Sequence, residues 1–385
     1  MTNAWEAKAS PFPMDEYETR LENVRREMHA QALDGLLVMG PEDLYYLTGY
    51  RSMGYFAHQV LIVRPSGEPL MLSRVLEQRM YLANSWSQRY HAYGDDENPI
   101  EATIEALRGE GLGAGNRLGV PLGSKHLSPV DAVKLQDAMP GAEWVDATGL
   151  VARLRSTKSD REIEYIRQAA SFTRTAFRAA AEAAAEGKTE NDLAAAFLGS
   201  MIAEGSEKPA SGPLVGSGPR SSYGHSSWEG RPLERGDLIF LEGGGCVRRY
   251  HAGAMRTIAI GEPSEQARAL EEGSRAAATA AVEALKPGAT SGDVDKACRD
   301  AVAELGLSEH FRHRTGYSIG MGFNNWIDGF SLRPAGDEEI KSSMVFHVVP
   351  FLSTPDFAVA LSETVLVSPE GGERVVALPP ELIVR

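Results

Sequence analysis

The sequence predicts an α/β domain at the amino terminus followed by an α+β domain at the carboxy terminus. Its 385 residues exceed what a single hydrophobic core usually organises, which suggests two domains. Helical and strand patterns alternate in the first half, whereas the second half combines long helices with glycine-rich extended segments. We therefore expect domains at residues 1–155 and 156–385, with the boundary near Leu154–Asp160.

The first predicted element is an amphipathic helix over Met14–Ala32. Tyr17, Leu21, Val24 and Met28 recur there at steps of three and four residues, so they share one helical face. Apolar runs and turn residues define the elements that follow. In chain order we expect a strand at Leu36–Met39, a helical turn ending before Gly49, a hairpin of Val60–Val63 and Leu70–Leu72, a helix at Pro99–Leu107, a strand at Arg117–Val120, a further helix, and a strand near Trp144.

The second half opens with a long predicted helix. Ser159 and Glu162 have the spacing of a capping box, and Gly187 is the expected stop. Two more helices are expected at about Glu265–Leu285 and Ser291–Leu305. Strands are expected at GPLVGSG, which we place directly after the long helix, and at GDLIFLEGGG, RYHAGAMRTIAI, MVFHVVPFL and VALSETVLVS.

Composition restricts the classes of partner. The net charge is −14, which argues against nucleic acid and anionic membranes, because both require a basic surface. Cys246 and Cys298 are not spaced as a zinc or redox motif, so we expect reduced thiols. The stretch MTNAWEAKASPFPMDEY lacks the pattern of a signal peptide, and no apolar run is long enough to cross a membrane. We therefore expect a soluble, cytoplasmic protein.

Five motifs in order resemble those of one superfamily. They are RLRSTKSDREIEYIRQA, GDLIFLEGGGCVRRYHAGAMRTIAIG, HRTGYSIG, MVFHVVPFL and LSETVLV. They resemble the carboxy-terminal domain of prolidase, aminopeptidase P, methionine aminopeptidase and creatinase, which implies the pita-bread fold. The first half also resembles the amino-terminal domain of creatinase and prolidase.

The resemblance implies five positions at which metal-dependent members carry ligands. Here they hold Glu242, Gly253, Tyr317, Val349 and Ser362. Glycine and valine offer no side-chain donor, and a neutral phenol is a poor ligand. One carboxylate is too few to hold two divalent cations, so the sequence predicts no metal site and no cofactor.

Creatinase and the ectoine hydrolases are metal-free branches, and the chain resembles the latter in YLTGY, YFAHQ, HRTGYSIG and the SET strand. This resemblance implies hydrolysis of a C–N bond in a small amidine or guanidino compound that bears a carboxylate, with ectoine the first choice and creatine the second. His225, Glu242 and Tyr317 are the expected catalytic residues. Further residues are substrate-binding candidates, either because the resemblance implies it or because they lie on the same motifs. They are Arg333, Glu363, Phe56, His58, His313, His347 and His251.

The hypothesis assigns proton transfer to His225, because imidazole takes up and releases protons near neutral pH. Arg333 would bind the substrate carboxylate and Glu242 with Glu363 the amidinium, although direct nucleophilic attack by Glu242 is also compatible with the sequence. Phe56 would come from the partner subunit of a homodimer, by analogy with relatives. The alternatives are a metal-dependent Xaa-Pro peptidase or lyase with displaced ligands, and a non-catalytic binding protein.

Overall fold

The structure is a computed structural model that describes residues 10–385. Most of the stretch on which the signal-peptide expectation rests therefore lies outside the described residues. The chain divides into two compact units, one ending at Arg155 and the other covering Ser156–Arg385. Within the described residues, no helix is both long and apolar enough to span a bilayer.

The first unit alternates helices and strands. Its helices are α1 (Met14–Ala30), α2 (Pro41–Thr48), α3 (Gln78–Asn84), α4 (Pro99–Gly109), α5 (Pro129–Ala138) and α6 (Leu150–Arg155). Its strands are β1 (Gly35–Val38), β2 (Val60–Val63), β3 (Leu70–Arg74), β4 (Tyr90–Tyr93), β5 (Arg117–Val120) and β6 (Glu143–Asp146).

These strands form one mixed sheet in the order β4-β3-β2-β1-β5-β6. The predicted hairpin is present, since β2 and β3 pair antiparallel with Leu61 opposite Met71. The pairs β1–β5, β5–β6 and β3–β4 are parallel, as expected where helices connect strands. Apolar side chains of α4, such as Ile104 and Leu107, pack with Leu37 and Ile62 of the sheet into one core. The α/β prediction for this half is confirmed.

The second unit carries the candidate site. Its helices are α7 (Asp160–Ala183), α8 (Glu190–Glu204), α9 (Glu265–Ala284) and α10 (Ser291–Glu304). Its strands are β7 (Leu214–Ser217), β8 (Leu238–Val247), β9 (Tyr250–Ala259), β10 (Gly316–Ile319), β11 (Ile327–Leu332), β12 (Val345–Val348), β13 (Phe351–Ser353), β14 (Ala358–Ala360), β15 (Glu363–Ser368), β16 (Gly371–Arg374) and β17 (Ile383–Val384).

Two sheets dominate this unit. One has the order β17-β9-β8-β7 and contains the long β8–β9 hairpin, and the other has the order β11-β10-β12-β15-β16. Helix α7 packs along β8 and β9, and α9 packs against α10. Alanine, valine and leucine side chains of α9 and α10 form a core with Phe346, Val348 and Val365 of the second sheet. The α+β prediction for this half is confirmed as well.

The sequence missed helix α8. Strands were expected directly after Gly187, but Thr189 caps a helix that runs over Glu190–Glu204. Alanine and leucine favour this helix, and Asp192 completes a capping box with Thr189, a signal that was available in the sequence. The capping box of Ser159 and Glu162 is present, although α7 already ends at Ala183.

Candidate active site

The second unit contains a cavity of about 350 Å³. Residues of β8, β9, β10 and β13 and of the adjoining loops line it: Gly224, His225, Phe240, Glu242, Met255, His313, Arg314, Tyr317, Val349 and Phe351. Phe240 and Phe351 meet edge to face with their ring centroids 5.3 Å apart, so much of the wall is aromatic. A small, mostly apolar cavity with a few convergent polar groups is the usual form of a small-molecule site.

Glu242 is the buried acid of this cavity. It lies within β8, directly opposite Met255 of β9, and its residue is only 5% exposed. Burial raises the pKa of its carboxyl group to about 8, and a hydrogen bond from Tyr317 opposes that rise. Among the described residues, no lysine, arginine or histidine forms an ion pair with Glu242. The carboxyl group is therefore buried without a positive counter-charge.

Tyr317 is the centre of a buried hydrogen-bond network. Strand pairing places it directly opposite His347, on the same face of the sheet. Its hydroxyl oxygen lies 3.0 Å from His347 Nδ1 and accepts the indole N–H of Trp326 at 3.1 Å. Ser362 continues the network, because its Oγ lies 2.7 Å from His347 Nε2.

His225 reaches the cavity from a loop held by a buried carboxylate. Glu190 of α8 is fully buried and accepts hydrogen bonds from Arg220, from the backbone of Ser217 and from the backbone of Glu229. These contacts fix the chain on both sides of His225. Helix α8, which the sequence reasoning missed, thus positions the loop of the predicted general base.

Two consecutive residues before β10 complete the polar lining. His313 stacks on Phe351 with the ring planes 21° apart. Arg314 places its guanidinium carbon 4.7 Å from the centre of the Tyr317 ring and donates to Ser331 Oγ at 2.8 Å. Sequence reasoning overlooked Arg314, although it stands three residues before Tyr317 in HRTGYSIG.

Arg333, the carboxylate ligand suggested by the resemblance, does not line this cavity. It follows the last residue of β11, its side chain is 53% exposed, and its guanidinium lies 3.6 Å from Glu338. The arginine that lines the cavity is instead Arg314.

Glu363 faces away from the Tyr317 network. Successive side chains of a strand point to opposite faces, so Ser362 joins the network while Glu363 does not. Its carboxylate accepts the backbone N–H groups of Thr364, Val376 and Ala377. Burial raises the pKa of Glu363, and the charge of Arg256 opposes the rise. These contacts indicate that Glu363 anchors the chain around residues 376–377.

His251 and His347 are both fully buried but differ in their partners. His251 accepts the backbone N–H of Ala210 at Nε2, and its Nδ1 lies 3.1 Å from the carbonyl oxygen of Gly320. Both ring nitrogens are thus engaged by the backbone, which leaves none for a substrate. His347 instead touches Tyr317, so it can influence the cavity although it does not line it.

Two predicted substrate contacts belong to the first unit. Phe56 is 80% exposed there. His58 Nε2 lies 2.9 Å from the Thr103 hydroxyl, and burial lowers the pKa of His58 to about 4. His58 is therefore tied into its own unit, whereas the Phe56 ring is accessible.

The five positions of the family's metal ligands do not fit a pair of metal ions. A side-chain carbon added at Gly253 would lie 3.3 Å from Trp326 and 3.5 Å from His347, so these rings fill the space of the missing side chain. Val349 offers only hydrocarbon, and Ser362 is engaged by His347. Within residues 10–385, no group of three or more histidine, cysteine, aspartate or glutamate side chains is arranged to hold an ion.

Two family models match the chain. The model of metallopeptidase family M24 matches residues 164–369, and that of the creatinase/prolidase N-terminal domain matches residues 20–157. The first match covers the unit that contains the cavity, and the second covers the α/β unit.

Individual relatives match over nearly the whole chain. The ectoine hydrolase of Halomonas elongata is 26% identical over 97% of this chain and 98% of its own. The probable dipeptidase PepE of Mycobacterium tuberculosis is 30% identical with the same coverage. Among solved structures, dipeptidase PepE of Mycobacterium ulcerans superimposes with a TM-score of 0.85 at 28% identity, over 97% of this chain and 99% of that one.

Proposed function

The chain belongs to metallopeptidase family M24, and we propose that it is a metal-independent hydrolase of a C–N bond in a small zwitterionic substrate. The observation that carries this proposal is that a buried carboxyl group without a counter-charge, Glu242, and the guanidinium of Arg314 line the same cavity. A carboxylate-bearing amidine or guanidino compound has the complementary charges.

The two charged residues are related through Tyr317. The Arg314 guanidinium lies over the Tyr317 ring, and the Tyr317 hydroxyl group opposes the rise in the pKa of Glu242. A ligand that spans the ring can place its carboxylate on Arg314 and its cationic nitrogens on Glu242. Because an adjacent positive charge favours the ionised carboxylate, such a ligand would bring the raised pKa of Glu242 back towards its ordinary value. Ectoine and creatine both have this arrangement of charges.

His225 is the proposed general base. It accepts a proton from water, and the hydroxide so formed attacks the amidine carbon. The C–N bond then breaks as His225 passes the proton to the leaving nitrogen. The Tyr317 hydroxyl group, which opposes the rise in the pKa of Glu242, helps to orient the carboxyl group that binds the cationic nitrogens. Replacing His225 with Gln should reduce kcat by about 100-fold or more while the fold is retained. Direct attack by Glu242 would instead leave a covalent adduct, which mass spectrometry of quenched reactions detects.

The central test is a turnover screen on ectoine, hydroxyectoine, creatine and Xaa-Pro dipeptides, with and without a strong chelator. We expect turnover of a carboxylated amidine or guanidino compound at a rate that the chelator does not change. Turnover of the dipeptides alone, lost on chelation and restored by a divalent metal, would refute the proposal.

The second candidate is a dipeptidase, which the 30% identity to probable dipeptidase PepE favours. It is less compatible with the cavity, because Gly253 and Val349 leave a peptide-activating ion without ligands. The same screen separates the two candidates.

Phe56 remains the predicted contribution of a partner subunit, and this contribution requires a homodimer. Size-exclusion chromatography with light scattering tests for that homodimer.

A further inference from the structure

Tyr317, His347 and Ser362 form a buried hydrogen-bond network behind the cavity. Their other hydrogen-bond partners determine which atom donates and which accepts at each step. Burial, with a smaller contribution from the charge of Arg256, lowers the pKa of His347 to about 3. The imidazole is therefore neutral near pH 7, with one nitrogen that donates and one that accepts. The hydrogen-bond partners of Ser362 and Tyr317 determine which nitrogen of His347 donates and which accepts.

Ser362 requires His347 Nε2 to be the acceptor. The Ser362 oxygen receives the backbone N–H of Met255 at 2.5 Å, and its own hydrogen needs an acceptor. Among the described residues, His347 Nε2, at 2.7 Å, is the one acceptor in contact with that hydroxyl. If Nε2 carried the proton, the buried Ser362 hydrogen would be left unpaired, which costs about 1–3 kcal/mol.

Tyr317 is consistent with the same tautomer. With the proton on Nδ1, the Tyr317 oxygen accepts from both His347 and Trp326. Its own hydrogen is then used by neither of these groups and is available to Glu242, which lines the same cavity and interacts electrostatically with Tyr317. In the opposite tautomer, Tyr317 would donate to His347 and leave Glu242 without this donor. The first arrangement pairs the Ser362 hydroxyl, both nitrogens of His347 and the Trp326 N–H, as buried polar groups generally require.

We propose that Ser362 and His347 are positioning residues that hold the Tyr317 hydroxyl as a hydrogen-bond donor directed at Glu242. They occupy, with Trp326, the region in which the family's metal ligands would converge. The network thus gives the cavity a fixed electropositive O–H group where a metal-dependent relative would use an ion. Its role in turnover rests on the proposed function, but the direction of the network does not.

Among the described residues, no other side chain that lines the cavity forms a hydrogen bond or an ion pair with Glu242. His225, His313 and Arg314 reach the cavity from loops, and Phe240 and Met255 contribute only apolar contact. The Tyr317 hydroxyl is therefore the donor through which His347 and Ser362 can act on the cavity.

Nitrogen-15 NMR of the imidazole side chains tests the direction without any substrate. The signals of His347 are identified by their absence from the His347→Gln variant. We expect the wild-type protein to carry the His347 proton on Nδ1. We expect Ser362→Ala to produce the Nε2–H form or a mixture. The matched control is Ser318→Ala, because Ser318 is also buried but donates to the carbonyl oxygen of Asp328. That variant should retain the wild-type tautomer.

Turnover then tests the functional consequence on whichever compound the screen identifies. Ser362→Ala should lower kcat/KM by about tenfold, as expected for one misdirected hydrogen bond. Ser362→Thr should restore most of kcat/KM, because it keeps the hydroxyl group. A wild-type proton on Nε2, or a Ser362→Ala tautomer identical to wild type, would overturn the proposal even if the enzyme is active. Should Ser362→Ala fail to fold, the wild-type tautomer still decides the matter.

Discussion

Replacement of Arg314 with Ala tests which arginine binds the substrate carboxylate. A hydrogen bond to a charged group contributes about 1.5–3 kcal/mol, and each 1.4 kcal/mol corresponds to a factor of ten. Because Arg314 lines the cavity and is oriented by Ser331, its removal should raise KM by about 10- to 100-fold. Steady-state kinetics on the compound identified by the screen measures this change. Arg314→Lys should recover only part of the loss, because lysine lacks the planar fork.

The matched control is Arg333→Ala. Arg333 is half exposed and contacts Glu338 at the long distance of 3.6 Å, so we expect kinetics close to those of the wild type. An uncharged ester analogue of the substrate provides a second control, since its KM should respond little to Arg314→Ala. If Arg333→Ala raises KM and Arg314→Ala does not, the site is assembled differently from the cavity described here and the charge argument fails.

Three further predictions concern stability. The pKa of Glu242 is raised from an ordinary 4.5 to about 8, so its stabilising contribution is complete below pH 4.5 and is lost as the pH rises through 8. In urea unfolding, the free energy of unfolding of Glu242→Gln relative to wild type should therefore rise by about 4 kcal/mol from pH 5 to pH 9. The same difference between variant and wild type at pH 5 and at pH 9 would contradict the raised pKa. Gly253→Asp should destabilise by about 1–3 kcal/mol, because the new side chain meets Trp326, and calorimetry with added zinc should show no metal binding. Lys158→Met should cost about 3–5 kcal/mol, since it leaves the fully buried Asp328 carboxylate, 2.8 Å from the lysine, without its ion pair.

Local patterns in the sequence predicted most elements of the fold. Periodicity and turn residues located α1, the β2–β3 hairpin and β5 to within about two residues, because these signals are set by neighbours along the chain. Helix α8 was missed although Thr189 and Asp192 signal its start. Glycine at position 187 was interpreted as the end of helical structure, when it separates two helices.

The candidate site was predictable in part of its membership but not in its orientations. His225, Glu242 and two residues of HRTGYSIG, His313 and Tyr317, come from three separate parts of the sequence and line one cavity. Strand register decides which neighbouring side chain faces a site, and one residue reverses the face. The resemblance placed Ser362 at a ligand position, but only the structure shows that Ser362 joins the network while Glu363, the predicted substrate contact, binds the backbone instead.

The same argument applies to residues in loops and in the core. Arg314 and Arg333 lie in loops of the same half of the chain, and only tertiary structure separates the one that lines the cavity from the one that does not. Histidine is a common substrate-binding residue, but both ring nitrogens of His251 contact backbone groups that are distant in sequence.

The changes at the former ligand positions act as a set. Removing one carboxylate from a metal pair would leave the others as buried, repelling charges, so single replacements are costly. Here Gly253 leaves room for Trp326, whose N–H binds Tyr317, and Tyr317 in turn binds His347. The polar side chains at two of these positions meet buried partners, since Tyr317 contacts Trp326 and His347, and Ser362 contacts His347. Glu242 is the exception, because it has a hydrogen bond but no counter-charge, and a cationic substrate would supply it.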